Sequence, residues 1–550
     1  MKLESISIQN LRSLIEPQSF CLRPLTLVVG ANSSGKSTFI RAFPLLRQSV
    51  EAITRGPILW FGRFVDFGVF KDAVSRDVPK SEIEFGFTIT IPKDHSNEGY
   101  IYPASSLILL ENAEVRVTLV IAEDATTTNT YTKQIRITFG DRTVQMDAEA
   151  DGKVHSVLVD GHPMESLTAD LTLRAGTSLF SVAVSGKPGA PSTAPFIEVS
   201  WMRRRQISAF GEQIVDHLKP LFHRRTAREK KAYFVRSLGI GGASSTLDQF
   251  KKLAAITKTS TERAKRYRAD SPWIKRLQGL VLADRAPELL NQIDAFLSAT
   301  FSGVSYVGPL RATAQRFYRQ QDLGVDEVDP QGANLAMFLM GLSAIDQTAF
   351  SDWCQQSIGF SVEAKAVGAH VSIFLRDSKD GDLFNVADMG FGYSQLLPVL
   401  ATIWRALPSS QSHISASSRI GPRLPRSPHS SESFQKIIVV EQPELHLHPR
   451  LQGHLADLLC AIVREDVPSE ERVHLVCETH SETIVNQIGQ LVSQGRIDRK
   501  KVQVLVFEKN NGHAGTNIRT AEYDSDGVLL NWPYGFFLPS EDWSERKAKE

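Results

Sequence analysis

The rhythm of hydrophobic and polar positions changes several times along the chain. Leu25–Val29 is an unbroken apolar run, and beyond Ser37 apolar residues recur at three and four. That pattern predicts a buried strand, a short loop and a helix over Thr38–Leu46. Between residues 81 and 170 the period drops to two: Glu82–Thr90, Glu114–Ile121, Thr132–Phe139 and Val154–Val159 alternate. These segments predict antiparallel strands joined by turns. Residues 183–195, with Pro188, Pro191 and Pro195, predict a loop.

Residues 205–300 return to helical spacing. Ile207, Phe210, Ile214, Leu218 and Leu221 form one stripe. Leu247, Phe250 and Leu253 form a second, and Leu289, Leu290, Ile293, Phe296 and Leu297 a third. These are packing faces, and they show no sustained heptad repeat. After Phe301 strands and helices alternate up to about Phe507. Lys436–Val440 and Val473–Cys477 repeat the unbroken apolar pattern of the first strand. A stretch rich in Ser and Pro, 408–433, predicts a looped insertion.

This order predicts an α/β fold. A chain of 550 residues exceeds one compact core, so two or three units are expected. The boundaries read as 1–200, 201–300 and 301–550, the middle one helical and basic. From Trp201 to Arg276 there are 19 Lys and Arg against 6 Asp and Glu, an excess of 13, although the whole chain carries only +1. Arg203, Arg204, Arg205, Arg224 and Arg225 belong to this stretch. The asymmetry predicts an acidic partner, nucleic acid or protein. No apolar run reaches 18 residues, and Met1–Ser5 opens no signal-peptide stretch. The four cysteines are scattered, without a CxxC pair, as in a reduced cytoplasmic protein.

The chemistry lies where the unbroken runs end. Gly30-Ala31-Asn32-Ser33-Ser34-Gly35-Lys36-Ser37 follows the first strand and opens the first helix, which is the setting a phosphate-binding loop requires. Its backbone N–H groups, with those of Thr38 at the helix start, face anionic phosphates. Lys36 reaches the β- and γ-phosphates, and the Ser37 hydroxyl ligates Mg²⁺. The strand Lys436–Val440 ends in Glu441, a carboxylate for the same metal, followed by Gln442, Pro443 and Glu444. The cofactors expected are therefore ATP and Mg²⁺. Asp388–Gln395 carries Gly390, Gly392 and Ser394 ahead of a helix, a further phosphate-binding pattern. Val473–Cys477 leads to Glu478-Thr479-His480-Ser481, whose His480 stands where a γ-phosphate sensor would stand.

In this order the segments resemble the ABC-type ATPases of the RecF, SMC and OLD group. The resemblance rests on Ile8-Gln9-Asn10-Leu11-Arg12-Ser13, the glycine loop, Pro443–Pro449 and Thr479-His480-Ser481. A narrower resemblance, to the PtuA ATPases of Septu and retron-linked antiphage systems, rests on Phe64–Asp72, Tyr306–Arg311, Gly390–Gln395, Glu441–Pro449 and the Trp532–Phe537 ending. The group implies an ABC-type ATPase head, with a P-loop mixed sheet, an antiparallel β subdomain and an inserted helical arm. It also implies Arg12 at the nucleotide and head-to-tail homodimers or higher oligomers, with ATP between Lys36 of one copy and Gly390–Ser394 of the other. An HNH-type nuclease subunit is the implied executor, and the basic 201–276 region would meet nucleic acid or a retron RNA–DNA complex. His446 and His448 are expected to organise the dimer seam rather than to bind metal. Only 70 residues follow His480, which leaves no room for the Toprim domain of OLD proteins.

Two positions depart from the group's pattern. Gln442 stands where a glutamate would polarise the attacking water, and an amide is no base. Glu444 is the available substitute. No glutamine marks the Q-loop, and Asp66 or Asp72 occupies that region. The expected function is an ATP-gated regulatory scaffold in antiviral defence with slow hydrolysis. The alternative is a DNA-repair ATPase of RecF or SMC type that clamps DNA. A transporter ATPase is disfavoured by the absent LSGGQ signature.

Overall fold

The computed structural model describes residues 1–76, 78, 80–93, 107–164, 171–173, 179–180, 182–184, 209–222, 226–255, 258–321, 324–377, 381–407, 435–464, 473–509 and 515–533. Two large sheets organise them. The first is antiparallel and built mostly from the period-two segments. Its strands are β1 (Lys2–Gln9), β2 (Gln18–Cys21), β4 (Glu82–Ile91), β5 (Ala113–Glu123), β6 (Thr130–Phe139), β7 (Arg142–Ala148) and β8 (Val154–Val159). They lie in the order β2-β1-β4-β5-β6-β7-β8, extended by the short strand His162–Pro163.

The second sheet gathers strands from the two ends of the chain. β3 (Leu25–Gly30) is joined by β9 (Ser305–Val307), β10 (Lys436–Glu441), β11 (Val473–Glu478), β12 (Val502–Lys509) and β13 (Thr516–Tyr523). Their order is β9-β10-β11-β3-β12-β13, with Leu529–Leu530 at the edge. The first five are parallel, and β13 turns back antiparallel. The apolar runs of β3, β10 and β11 do not alternate because both faces of this sheet are covered. Val28, Ile437, Val439, Val476, Leu505 and Phe507 face a core shared with the antiparallel sheet. Leu27, Val29, Ile438, Val440, Leu475, Cys477, Val504 and Val506 face the other core.

Helices complete both layers. α1 (Lys36–Glu51) and α2 (Pro272–Ser302) pack together on the first side. Ser271 caps α2 by accepting from the Ile274 N–H, and Pro272 fills the first turn, where no N–H is needed. The expected stripe Leu289, Leu290, Ile293, Phe296 and Leu297 is fully buried. Phe210, Ile214, Leu247 and Phe250 join the same core as Val28 and Phe39. α3 (Phe391–Ala406), α4 (Pro449–Arg464) and α5 (Glu482–Ser493) contribute to the second core. Among the described residues no helix is long and apolar enough to cross a membrane. Ile207, Arg203, Arg204, Arg205, Arg224, Arg225, the 183–195 loop (apart from 183–184), the 408–433 insertion and Tyr534–Phe537 lie outside the described residues.

Candidate nucleotide site

The glycine loop joins β3 to α1, and its backbone requires glycine at two points. Gly35 adopts φ +97°, and a Cβ there would stand 2.5 Å from Ser13 Oγ and 2.7 Å from Thr516 Oγ1. A Cβ on Gly30 would stand 2.4 Å from the Phe507 carbonyl oxygen. The loop is thus clamped between the N-terminal segment and the last strands of the sheet. Thr516 fastens the clamp: its hydroxyl donates to Ser34 O at 2.9 Å, and its N–H donates to Ser13 O at 2.9 Å. Asn32 and Ser33 are exposed on the loop's crest, with Ser33 at φ +58°. Ser34 Oγ is buried and has no hydrogen-bond partner among the described residues. A polar atom in that state suits an oxyanion ligand, so the loop fits a phosphate.

Lys36 folds back over its own loop. Its Nζ donates to Gly30 O at 3.0 Å and Ala31 O at 2.8 Å, and lies 3.7 Å from Glu478 Oε1. Burial pulls its ammonium pKa down, while Glu478 acts in the opposite direction. The Ser37 hydroxyl donates to Glu478 Oε2 at 3.4 Å. Thr38 is buried in the first helical turn.

Glu441 and Glu478 end the neighbouring strands β10 and β11 as direct register partners. Glu441 is 1% exposed and fully engaged. Arg41 grips it with Nε at 2.8 Å and Nη2 at 3.0 Å, and the Tyr306 hydroxyl donates to Oε1 at 2.7 Å. That carboxylate grip holds the Arg41 guanidinium pKa up, and burial raises the Tyr306 phenol. Glu478 is pushed up to about 7, first by burial and then by the charge of Glu441, against Lys36 and Ser37.

Gln442 adopts φ +45° and its N–H donates to Glu478 O at 2.9 Å. Glu444 is turned to the other side of the turn. Its Oε1 accepts from the His480 N–H at 2.6 Å, and burial raises its pKa. Its Oε2 is buried without a partner among the described residues. The His480 ring lies 4.0 Å from Glu478, with its pKa lowered by burial and by Lys36. Glu444, His446, Gln452, His480 and Ser481 line a cavity of about 340 Å³.

Arg12 stacks on Phe67 at 4.5 Å, within the field of Arg41, Asp66 and Asp72. Asp66 and Asp72 are occupied locally, accepting from the N–H groups of Gly68 and Val69. Gly390, at φ +77°, precedes α3, so the helix begins at Phe391 and places Ser394 in its first turn. Ser394 Oγ donates to Phe391 O, and Gly392 lies against the His446 carbonyl. Phe391 meets the His446 ring edge-on at 4.8 Å. Among the described residues no three His, Cys, Asp or Glu side chains gather as a metal site. A divalent ion beside Ser37 would therefore complete its shell with phosphate oxygens and water, as Mg²⁺ commonly does.

Sequence reasoning passed over Glu478, Arg41, Tyr306 and Arg311. Arg311 is buried, donates to the carbonyls of Glu441 and Gln442, and is pulled down to about 10 by burial. The signal for Glu478 was present: a second unbroken apolar run ending in a carboxylate.

Two family models match the chain. One, described as an AAA ATPase domain, covers residues 1–166, including the loop. The other, an AAA domain described as putative AbiEii toxin, Type IV TA system, covers 237–486, including Glu441 and His480. The chain thus carries AAA ATPase domain sequence over both stretches. No curated protein matches this ATPase. Among solved structures, it is similar to the Smc head domain with an extended coiled coil bound to the C-terminal domain of ScpA, from Pyrococcus furiosus. The identity is 11%, over 94% of this chain and 96% of that one, with a TM-score of 0.33. The SMC head domain from Thermotoga maritima matches at 9% identity over 94% and 98%, with a TM-score of 0.31. Likeness at this level carries nothing about the ATPase beyond the matches themselves.

Proposed function

We infer that this ATPase is a nucleotide-gated regulator of a bacterial antiviral defence system of Septu or retron type. It closes as a head-to-tail homodimer or higher oligomer around ATP, and it controls a partner HNH-type nuclease. The motif resemblance supports the reading, and the abortive-infection description of one matching model agrees with it. In this reading residues 1–200 and 301–550 build the head, and 201–300 is an inserted helical region in the cytoplasm. The basic stretch meets nucleic acid or an acidic partner.

What supports the gating role is the choice of residues in the loop and at the end of β10. The glycine loop, Lys36 and Ser37 suit nucleotide binding. The group expected to activate water is an amide, Gln442, and the nearest substitute, Glu444, is committed to the His480 N–H. Bound Mg²⁺ supplies charge neutralisation between the phosphates. Lys36 then exchanges its bonds to Gly30 O and Ala31 O for phosphate oxygens. General-base assistance typically contributes 10²–10⁴-fold, so its loss leaves nucleotide as a long-lived structural ligand. The test is the nucleotide content and turnover of purified protein. Retained ATP with phosphate release well below one per second is expected, together with a dimer that dissociates when nucleotide is removed. Rapid turnover would overturn the gating role. Co-purification of an HNH nuclease encoded beside the gene would support the partner, and its absence there would remove it.

A further inference from the structure

We propose that Glu478, and not Glu441, is the carboxylate that this protein presents to the divalent cation of its nucleotide, while Glu441 is a positioning residue that fixes Arg41. The assignment rests on the ATPase reading and deepens it.

The two residues begin as equals. Both are the last residue of a parallel strand, they are register partners, and both are almost wholly buried. Their surroundings separate them. Glu441 is saturated, with a guanidinium spanning both oxygens and a phenol adding a third donor. Bidentate Arg–carboxylate pairs are among the strongest polar contacts in proteins, and both oxygens of Glu441 are taken by this one. Drawing Glu441 toward a metal would strand Arg41.

Glu478 has the opposite character. Its two closest side-chain contacts are long, 3.4 Å to Ser37 Oγ and 3.7 Å to Lys36 Nζ. Both partners belong to the loop, and both have another task once nucleotide arrives. Lys36 turns to the phosphates, and the Ser37 hydroxyl turns to the metal. Glu478 would then be a buried carboxylate without a countercharge, a state that proteins avoid. A divalent cation beside Ser37 restores the balance, and among the described residues Glu478 is the carboxylate that contacts Ser37. Its backbone does not move to do so, because Gln442 N–H holds its carbonyl and Thr479 N–H is tied to Val28 O. The buried, unpartnered Ser34 Oγ independently marks the adjoining loop as shaped for a ligand. Among the described residues Glu444 contacts the His480 N–H through Oε1 and touches neither Ser37 nor Lys36.

The experiment measures ATP affinity by calorimetry with Mg²⁺ and again in EDTA, and counts bound Mn²⁺ by electron paramagnetic resonance. Wild-type protein should bind nucleotide more tightly with the metal, by about tenfold or more. Glu478→Gln should lose that gain and the bound Mn²⁺, yet keep its affinity in EDTA. Glu478→Asp, which retains a shorter carboxylate, should keep part of both and covers the case in which the amide variant fails to fold. Glu441→Gln should keep the metal gain, as should the milder Tyr306→Phe. A Glu478→Gln protein with undiminished metal gain would overturn the assignment. So would loss of the gain in a folded Glu441→Gln or Tyr306→Phe protein. If wild-type protein bound no nucleotide at all, the ATPase reading itself would fail, a result distinct from either.

Discussion

Glu441 and Glu478 lie side by side at the ends of β10 and β11, yet Arg41 neutralises only the first. The site therefore holds one spent carboxylate and one poised carboxylate, and the poised one faces the phosphate loop through Ser37 and Lys36. Several measurable consequences come from this asymmetry and from the way the loop is braced.

Removing the loop cation should be decisive. Lys36→Ala deletes the ammonium that now spans Gly30 O, Ala31 O and Glu478. Charge-assisted hydrogen bonds are worth about 1.5–3 kcal/mol each, so two or more lost to phosphate should weaken ATP by roughly a hundredfold or more. Calorimetry on the variant checks this, and wild-type affinity would refute the site.

Nucleotide-free protein should lose stability as pH rises from about 4.5 to about 7. Glu478 has an ordinary pKa of 4.5 when unfolded and about 7 when folded. In that window the folded chain retains a proton that the unfolded chain has released, so the folded state is favoured at the acid end. The full difference is about 3 kcal/mol above pH 7. Glu478→Gln should flatten this part of the melting-temperature profile and raise the melting temperature at pH 8. An unchanged slope would show that Glu478 ionises normally.

Hydrolysis should respond to Gln442 and not to Glu444. Gln442→Glu restores a carboxylate at the strand end and should accelerate turnover by about 10²-fold or more. Glu444→Gln should leave turnover slow and instead loosen the Thr479–His480 turn, because its bond to the His480 N–H loses charge assistance. Fast wild-type hydrolysis that collapses in Glu444→Gln would mean that Glu444 is the base.

Thr516→Val should weaken nucleotide binding although Thr516 acts through the loop backbone, at Ser34 O. It removes the hydroxyl that donates to Ser34 O while preserving shape. The direct cost is about 1 kcal/mol, seen as a lower melting temperature. The accompanying loss of ATP affinity distinguishes a loop brace from ordinary packing.

The basic region offers a separate surface to probe. Lys230, Lys251, Lys252, Lys265 and Arg266 are exposed, and among the described residues only Lys265 of these has a short ion pair, with Glu262. Reversing Lys230, Lys251, Lys252 and Arg266 together should reduce nucleic-acid retention in a mobility-shift assay, most strongly at low salt. Unchanged retention and partner recruitment would reduce the patch to a solvated face.

The sequence was legible where pattern is local. Period-two alternation marked β4, β5, β6 and β8 to within a few residues, and unbroken apolar runs marked β3, β10 and β11. β7 escaped because its apolar set is only Val144, Met146 and Ala148, set close behind a turn. β1 was read as a motif because a bulge between Leu3 and Ser5 breaks its alternation. β13, Thr-Asn-Ile-Arg-Thr-Ala-Glu-Tyr, lacks a clean period, yet Thr516 at its start braces the loop. At the site, the loop and Glu441 could be read directly, whereas Glu478 was visible only as the residue that ends a second apolar run. Which acid Arg41 takes could not, because the pairing spans 400 residues and depends on the register of β10 against β11.

The position of β3 between β11 and β12 has a consequence for synthesis. The strand that launches the phosphate loop leaves the ribosome long before its two neighbours in the sheet. At about 5–20 residues per second it waits roughly twenty seconds to a minute and a half for them. During that time its apolar faces need shelter, from the antiparallel sheet being made meanwhile or from chaperones. Nucleotide can be captured only after translation has passed Thr516. The newborn chain is therefore silent toward ATP until Thr516 has been added, and a product truncated before that point should not respond to nucleotide.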